Sequence, residues 1–218
     1  MRKIVVMAAI AALSACGPTQ TSSTSATYAT TQPGAPASGA ALELSCASFA
    51  DATLASLQQR FGAANVVNQK LPGPEGEEYD GTVLYPNDPT RRLEIAWRDP
   101  EQHEGVASAT VSGTEGVHSQ WTGPHGMKLG EAMTEVQSAN GRAFAASGFD
   151  WDYGGMVTDW RGGALGPADN CSVQVGFQPG AETRQAEGEA SFASDSPAMA
   201  SRKPYVSFFG VSFVQQSD

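Results

Sequence analysis

Two short helical patterns, each ending at a glycine, recur 79 residues apart in this 218-residue chain. The first pattern occupies residues 48–62 and ends at Gly62; the second occupies residues 129–141 and ends at Gly141. Their apolar residues recur at helical spacing, and glycine commonly follows the last turn of a helix. The shared spacing indicates an internal repeat, which restricts the fold more than any other feature of the sequence.

Segments with the apolar character of strands follow each helical pattern. One helix with a few strands cannot cover both faces of its own sheet, so two such units are expected to pack together. The sequence therefore predicts an α+β fold, with two tandem helix–antiparallel-sheet repeats, residues 42–113 and 114–218, forming one compact domain. The strand-like segments are two within 79–97, then 106–113, 153–160, 171–177 and 204–215, whereas 181–201 is interpreted as a long mobile loop.

The first fifteen residues have the pattern of a signal peptide, 1–15. A short positive region precedes an apolar run, residues 4–13, which is too short to span a bilayer. The run ends in Leu-Ser-Ala-Cys, which resembles the lipobox of bacterial lipoproteins. That resemblance implies cleavage before Cys16, acylation of Cys16 with palmitate or similar chains, and stable anchoring. Since Gly17 rather than Asp follows, the resemblance also implies an outer membrane lipoprotein that faces the periplasm.

Residues 16–41 are predicted to form a lipid-anchored flexible linker. From Gly17 onward they are almost entirely Ser, Thr, Ala, Pro and Gly, with one aromatic residue. Such a composition cannot bury enough apolar surface to offset the entropy lost on ordering. The folded part is therefore expected to begin near residue 42.

Three cysteines occur in the chain: Cys16, Cys46 and Cys171. If Cys16 carries lipid, the other two remain in a compartment that permits disulfides. A Cys46–Cys171 disulfide is the economical interpretation, and its long loop would contribute roughly 4–5 kcal/mol in the chain-entropy model. The alternative is a catalytic thiol, which needs a nearby histidine base. No histidine lies near either cysteine in the sequence.

The chain is acidic, with 13 Lys and Arg against 23 Asp and Glu and a net charge of −10. The acidic residues are dispersed and no basic patch occurs, so nucleic acid is a poor candidate partner. The sequence contains no serine-hydrolase elbow, zinc-protease, phosphate-loop or dinucleotide signature. His118 and His125 flank Trp121 in a Gly-Pro segment without metal-ligand spacing. We therefore expect neither catalysis nor a cofactor nor a metal site.

Residues 149–160, FDWDYGGMVTDW, concentrate two Trp, one Tyr and three Asp. In one interpretation the aromatic side chains pack the end of a sheet and the Asp side chains are solvated or cap turns. In the other, they form an exposed patch, because Trp and Tyr are enriched at binding hot spots and also stack on sugars. The candidate contact residues are Trp121, Asp150, Trp151 and Tyr153.

A helix ending in Gly, followed by three antiparallel strands and repeated in tandem, resembles the β-lactamase inhibitory proteins. It is also similar to small lipoproteins of the outer-membrane barrel-assembly machinery. The pattern covers about residues 45–215 without matching a signature residue, and it implies a non-catalytic binding module for another envelope protein. Residues 140–155 are similar to a stretch in secreted bacterial proteins of unknown function. The alternatives are an envelope glycan hydrolase using Asp150 and Asp152 as paired carboxylates, or a purely structural spacer.

Overall fold

A computed structural model describes residues 42–73, 76–113 and 118–214. The predicted signal peptide, the lipidation residue Cys16 and the linker lie outside these residues. All described residues belong to one compact unit.

The described chain contains four α-helices and eleven strands. In chain order, the first half contains β1 (Leu42–Glu43), α1 (Cys46–Phe49), α2 (Leu54–Phe61), β2 (Val66–Pro72), β3 (Glu78–Leu84), β4 (Leu93–Asp99) and β5 (Glu104–Ser112). The second half contains β6 (Trp121–Thr122), α3 (Met133–Asn140), β7 (Ala145–Ser147), β8 (Val157–Asp159), β9 (Cys171–Gln178), β10 (Ser191–Ala193), α4 (Pro197–Ser201) and β11 (Tyr205–Phe213).

Two antiparallel sheets dominate the fold. The larger sheet has six strands in the order β2-β3-β4-β5-β11-β9, so that β5 of the first half pairs with β11 of the second. The smaller sheet has the order β10-β7-β8, and an antiparallel bridge between Met156 and Gly176 links it to β9. The predicted α+β class is confirmed.

The two longer helices end where their glycines predict. Gly62 follows α2 with φ of +85°, and Gly141 follows α3 with φ of +77°, a region that favours glycine. The predicted start at residue 48 is wrong, because α1 forms a separate turn and α2 begins after Thr53, whose hydroxyl accepts a hydrogen bond from the Ser56 amide. None of the described helices is long and apolar enough to cross a bilayer.

The core lies on one face of the six-stranded sheet. Leu93, Ile95 and Trp97 of β4 are buried there, as their alternation predicts. The helices and the late strands contribute to the same buried cluster through Leu57, Phe61, Met133, Val136, Val175, Phe177, Phe209 and Val211.

The strand predicted over 153–160 is shorter, because only Val157–Asp159 form β8. Two other segments differ more from their predicted structure. The first is β2, which sequence reasoning missed because it is an edge strand with only Val66 and Leu71 buried. The second is residues 181–201, where the predicted mobile loop is wrong: it contains β10 and α4. Its order comes from distant partners, since Ala186 O accepts a hydrogen bond from the Phe149 amide at 2.8 Å.

The predicted disulfide is confirmed. The sulfur atoms of Cys46 and Cys171 lie 2.05 Å apart and join α1 to the first residue of β9 across 125 residues of sequence. The bond therefore ties the N-terminal end of the described chain to β9, an edge strand of the six-stranded sheet.

Candidate binding site at the 149–155 turn

Trp121 does not reach the surface. Its side chain is 0 % exposed, and its ring centroid lies 5.8 Å from that of Phe61 and 6.3 Å from that of Phe49. Its Nε1 donates a hydrogen bond to Arg91 O at 2.7 Å. The prediction of Trp121 as a contact residue is wrong, because its strand pairs with β1 and the helices of the first half cover it.

The other three candidate contact residues are brought together in one turn, residues 149–155. Tyr153 is 56 % exposed, Trp151 is half-buried, and their ring centroids lie 5.5 Å apart in an edge-to-face arrangement. Phe149 points the other way and is 2 % exposed. The turn therefore satisfies both interpretations of the sequence: Phe149 packs the core, and Trp151 and Tyr153 form an aromatic pair at the surface.

Hydrogen bonds close this turn on itself. Trp151 Nε1 donates to Gly148 O at 3.0 Å, and the Gly155 amide donates to the same oxygen at 3.0 Å. Ser147 Oγ donates to Tyr153 O at 2.6 Å and accepts from the Met156 amide at 3.0 Å. Backbone groups at both ends of the turn are thus paired, which holds the aromatic pair in one geometry.

Gly155 is required by close packing. It adopts φ of +77°, and a Cβ atom at this position would collide with Phe177 O and lie 2.8 Å from the Phe149 ring. The two backbone segments are also joined directly, because the Phe177 amide donates a hydrogen bond to Gly155 O at 3.0 Å. Gly155 therefore marks a close approach of two backbone segments, a common reason for glycine in or beside a strand.

A buried arginine, Arg202, contacts the inner side of the turn, and sequence reasoning missed it. The Arg202 side chain is 4 % exposed, and its Nη2 donates to Asp150 Oδ2 at 2.8 Å and to Oδ1 at 3.0 Å. Its Nη1 donates to Thr183 O, and its guanidinium lies 5.2 Å from the centre of the Phe149 ring. Arg202 and Asp150 are 52 residues apart, so no local pattern could have revealed the pair.

A polar cleft adjoins the turn. It has a volume of about 750 Å³, and its walls include Asp150, Glu182, Thr183, Arg184, Arg202 and Tyr205. The two acids and two arginines balance one another, so the cleft favours neither anions nor cations strongly. Asp152 is exposed, whereas Asp150 serves as the counter-charge of the buried arginine. This structural use of Asp150 disfavours its role as one of two catalytic carboxylates.

The open face of the six-stranded sheet is a second accessible surface. One row of cross-strand neighbours there consists of Ala96, Ser108, Ser212 and Ser172, all half-buried. This row has no large group to act as an anchor, although binding hot spots are enriched in Trp, Tyr and Arg. The exposed aromatic residue Tyr79 of β3 lies on the same face, since Gly81 pairs with Ala96. It is 39 % exposed, however, against 56 % for Tyr153. The aromatic pair is therefore the better candidate.

In the first half, neighbouring groups shift the pKa values of Tyr79 and Asp88. Burial, together with the charge of Glu94, raises the pKa of Tyr79 on β3. A hydrogen bond from Arg91, helped by one from Thr90, lowers the pKa of Asp88 in the turn before β4. Across the described ranges, no three His, Cys, Asp or Glu side chains are grouped to hold a metal ion, and His118 and His125 are exposed.

The 149–155 turn thus combines a large exposed aromatic surface with a backbone that is fixed by hydrogen bonds and by Gly155. Such an arrangement can contact another molecule without first becoming ordered. Comparison with protein-family models, curated proteins and solved structures finds nothing that matches this chain.

Proposed function

We propose that this protein is a lipid-anchored cell-envelope protein that binds another envelope protein, without catalysis, through Trp151 and Tyr153. The observation that carries the proposal is the exposure of Tyr153 on a turn whose backbone is closed by hydrogen bonds. Tyr and Trp supply large contact areas with few rotatable bonds, and a preorganised turn reduces the entropy lost on binding.

The surroundings of the aromatic pair favour a protein partner. An aromatic anchor encircled by polar groups is the usual anatomy of a protein–protein interface. Asp152 is exposed beside the pair, and Glu182 and Arg184 lie exposed in the neighbouring cleft. These groups would form the rim that hydrogen-bonds with the partner while Tyr153 is buried.

The membrane anchor remains part of the proposal. It rests on the lipobox resemblance at residues 13–16 and on Cys16, both outside the described residues. A Cys16→Ser variant is expected to lose incorporation of labelled palmitate and to leave the membrane fraction. Unchanged labelling and fractionation in that variant would exclude the anchor.

The tandem repeat is also proposed, and three features support it. The helices α2 and α3 both have eight residues and end at glycines with positive φ. A strand follows each within a few residues, β2 at Val66 and β7 at Ala145, again 79 residues apart. The last strands of the two halves, β5 and β11, pair in the sheet. After its helix the first proposed repeat has four strands and the second has five, whereas the sequence suggested three in each.

A glycan hydrolase is the alternative function, and the cleft is the observation that favours it. The cleft holds two carboxyl groups, those of Asp150 and Glu182, and glycosidases use a pair of carboxyl groups on either side of the scissile bond. The ion pair between Asp150 and Arg202 argues against a catalytic role for Asp150. Release of soluble sugar from isolated peptidoglycan by the purified protein, abolished in Asp150→Asn, would favour this alternative over binding.

The proposed binding is tested by placing a photo-crosslinking amino acid at position 153 of the full-length chain in cells. The matched control places the same amino acid at position 79, because Tyr79 is 39 % exposed and lies on β3, outside the turn. We expect a discrete protein adduct from position 153 and none from position 79. Equal adducts from both positions, or none from position 153, would contradict the proposal.

The identified partner is then purified and its affinity measured. For a hot-spot tyrosine we expect Tyr153→Ala to weaken binding by about 30-fold, which corresponds to about 2 kcal/mol. Tyr79→Ala should leave the dissociation constant unchanged. A Tyr153→Ala protein that unfolds at the wild-type denaturant concentration and binds normally would refute the role of the turn.

A further inference from the structure

Arg202 is the most deeply buried charged side chain at the proposed site. It is 4 % exposed and follows α4, yet its partners come from two other segments. A guanidinium removed from water is costly unless charge and hydrogen bonds compensate it. Asp150 and Thr183 O supply that compensation at the two terminal nitrogens, while the buried Nε has no hydrogen-bond partner among the described residues.

The contacts of Arg202 converge on the turn rather than on the core at large. Asp150 is the second residue of the turn, and Phe149, whose ring lies beside the guanidinium, is the first. The Arg202 carbonyl oxygen also accepts hydrogen bonds from the amides of Gly180 and Ala181, both at 2.9 Å. One residue therefore joins the end of α4, the start of the 181–190 segment and the 149–155 turn.

The ion pair is also linked to the unusual backbone conformation of Asp150. Asp150 adopts φ of +67°, a region that costs free energy for most residues other than glycine. The ion pair, in which both carboxylate oxygens accept from Arg202 Nη2, is made in this conformation and therefore offsets part of its cost. The aromatic residues that follow it closely are Trp151 and Tyr153, whose direction depends on the path of the chain at Asp150.

We propose that Arg202 is a positioning residue for partner binding. Through its ion pair with Asp150 it holds the turn in the conformation that presents Trp151 and Tyr153 at the surface. This inference rests on the proposed function for its purpose, but the effect on the turn is measurable in the protein alone.

The test uses three variants of the full-length protein: Asp150→Asn, Arg202→Met, and the double variant that combines them. Asp150→Asn changes a half-exposed carboxylate, so the fold is expected to survive, but it leaves the buried guanidinium without its counter-charge. The double variant removes both charges and keeps an unbranched side chain in the space of the arginine. Arg184→Met, an exposed arginine of the same cleft, is the matched control.

Amide hydrogen exchange at residues 148–155 is compared with the midpoint of urea unfolding. In Asp150→Asn we expect faster amide exchange at residues 148–155 and a lower midpoint of urea unfolding. In the double variant we expect the unfolding midpoint to recover, whereas the 148–155 amides remain about 10-fold or more faster in exchange than wild type. Arg184→Met should change neither. If protection of the turn recovers together with the midpoint, or never changes, Arg202 is a structural residue only and the inference is overturned.

Partner crosslinking from position 153 separates this inference from the proposed function. Loss of the adduct in the double variant, with a normal unfolding midpoint, would support both. Opening of the turn in the variants, combined with no adduct even in the wild-type background, would overturn the proposed function while supporting the positioning role of Arg202.

Discussion

Trp121 and Trp151 stand in similar surroundings in the sequence and in different surroundings in the structure. Each is preceded or followed within three residues by glycine and polar side chains. Trp121 is 0 % exposed, whereas Trp151 is half-buried beside the exposed Tyr153. Composition around a tryptophan therefore does not decide its role; the elements that pack against it do.

The hydrogen bonds of the two indoles reflect the same difference. Trp121 Nε1 donates to Arg91 O, 30 residues away, whereas Trp151 Nε1 donates to Gly148 O within its own turn. The first bond stabilises the association of distant segments, and the second stabilises local geometry. The tryptophan of the core should therefore matter most for stability, and the tryptophan of the turn most for binding.

The largest difference is expected between Trp121→Ala and Trp151→Ala. Removing the buried indole should lower the free energy of unfolding by about 3–5 kcal/mol, through lost burial and the cavity left behind. Trp151→Ala should cost about 1 kcal/mol, because only part of its surface and one local hydrogen bond are lost. Urea unfolding followed by circular dichroism measures both. Similar losses in the two variants would break the comparison.

The disulfide is expected to have the second-largest effect. It fixes α1, which carries Phe49 against Trp121, to the start of β9. Replacing both Cys46 and Cys171 by Ala should lower the free energy of unfolding by about 2–5 kcal/mol. Unfolding experiments in the absence of reductant compare the variant with wild type. An unchanged midpoint would show that this side of the molecule is held by packing alone.

Gly155→Ala tests the rigidity of the turn. The new methyl group would collide with Phe177 O, in addition to the cost of φ at +77°, so we expect a loss of about 1–3 kcal/mol. The matched control is Gly188→Ala, where φ is +79° but no atom lies within 4 Å of the added methyl group. Only the conformational cost, about 1 kcal/mol, should remain there. Equal losses of unfolding free energy in the two variants would mean that the turn shifts to accommodate the added methyl group.

The smallest effect is expected at the other exposed tyrosine, Tyr79, and only at high pH. Its raised pKa means that the folded state favours the neutral phenol, so the stabilisation is present below about pH 10 and is lost as pH rises through the folded pKa. Tyr79→Phe should therefore lose less stability than wild type between about pH 8 and about pH 11. The difference should be below about 1 kcal/mol, because solvent screens this partly exposed group.

That pH difference is measured by urea unfolding at the two pH values. Tyr153→Phe is the control, since Tyr153 is the more exposed of the two tyrosines. A fall in stability that is the same in wild type and Tyr79→Phe would assign the alkaline effect to other groups.

Local patterns predicted much of the secondary structure but little of the site. The glycine ends of α2 and α3 and the buried face of β4 follow from spacing alone. The disulfide followed from counting cysteines once Cys16 had been assigned to lipid. By contrast, the order within residues 181–201 and the burial of Trp121 depend on segments tens of residues away.

The candidate site divides in the same way. The residues Asp150, Trp151 and Tyr153 could be named from the sequence, because residues 149–160 concentrate aromatic and acidic side chains and Trp and Tyr are enriched at binding hot spots. Arg202 could not, since a single arginine before a buried strand carries no periodic signal and its carboxylate partner is 52 residues away.

The sequence by itself determined the ends of the longer helices and which residues of β4 face the core. It did so because helix termination and strand alternation depend on the conformational preferences of a few neighbouring residues. Only the tertiary structure decided that Trp121 is buried, that Tyr153 is exposed and that Arg202 supports the turn. Burial and ion pairing are set by the sum of contacts from distant segments, and those contacts exist only once the sheets and helices have packed.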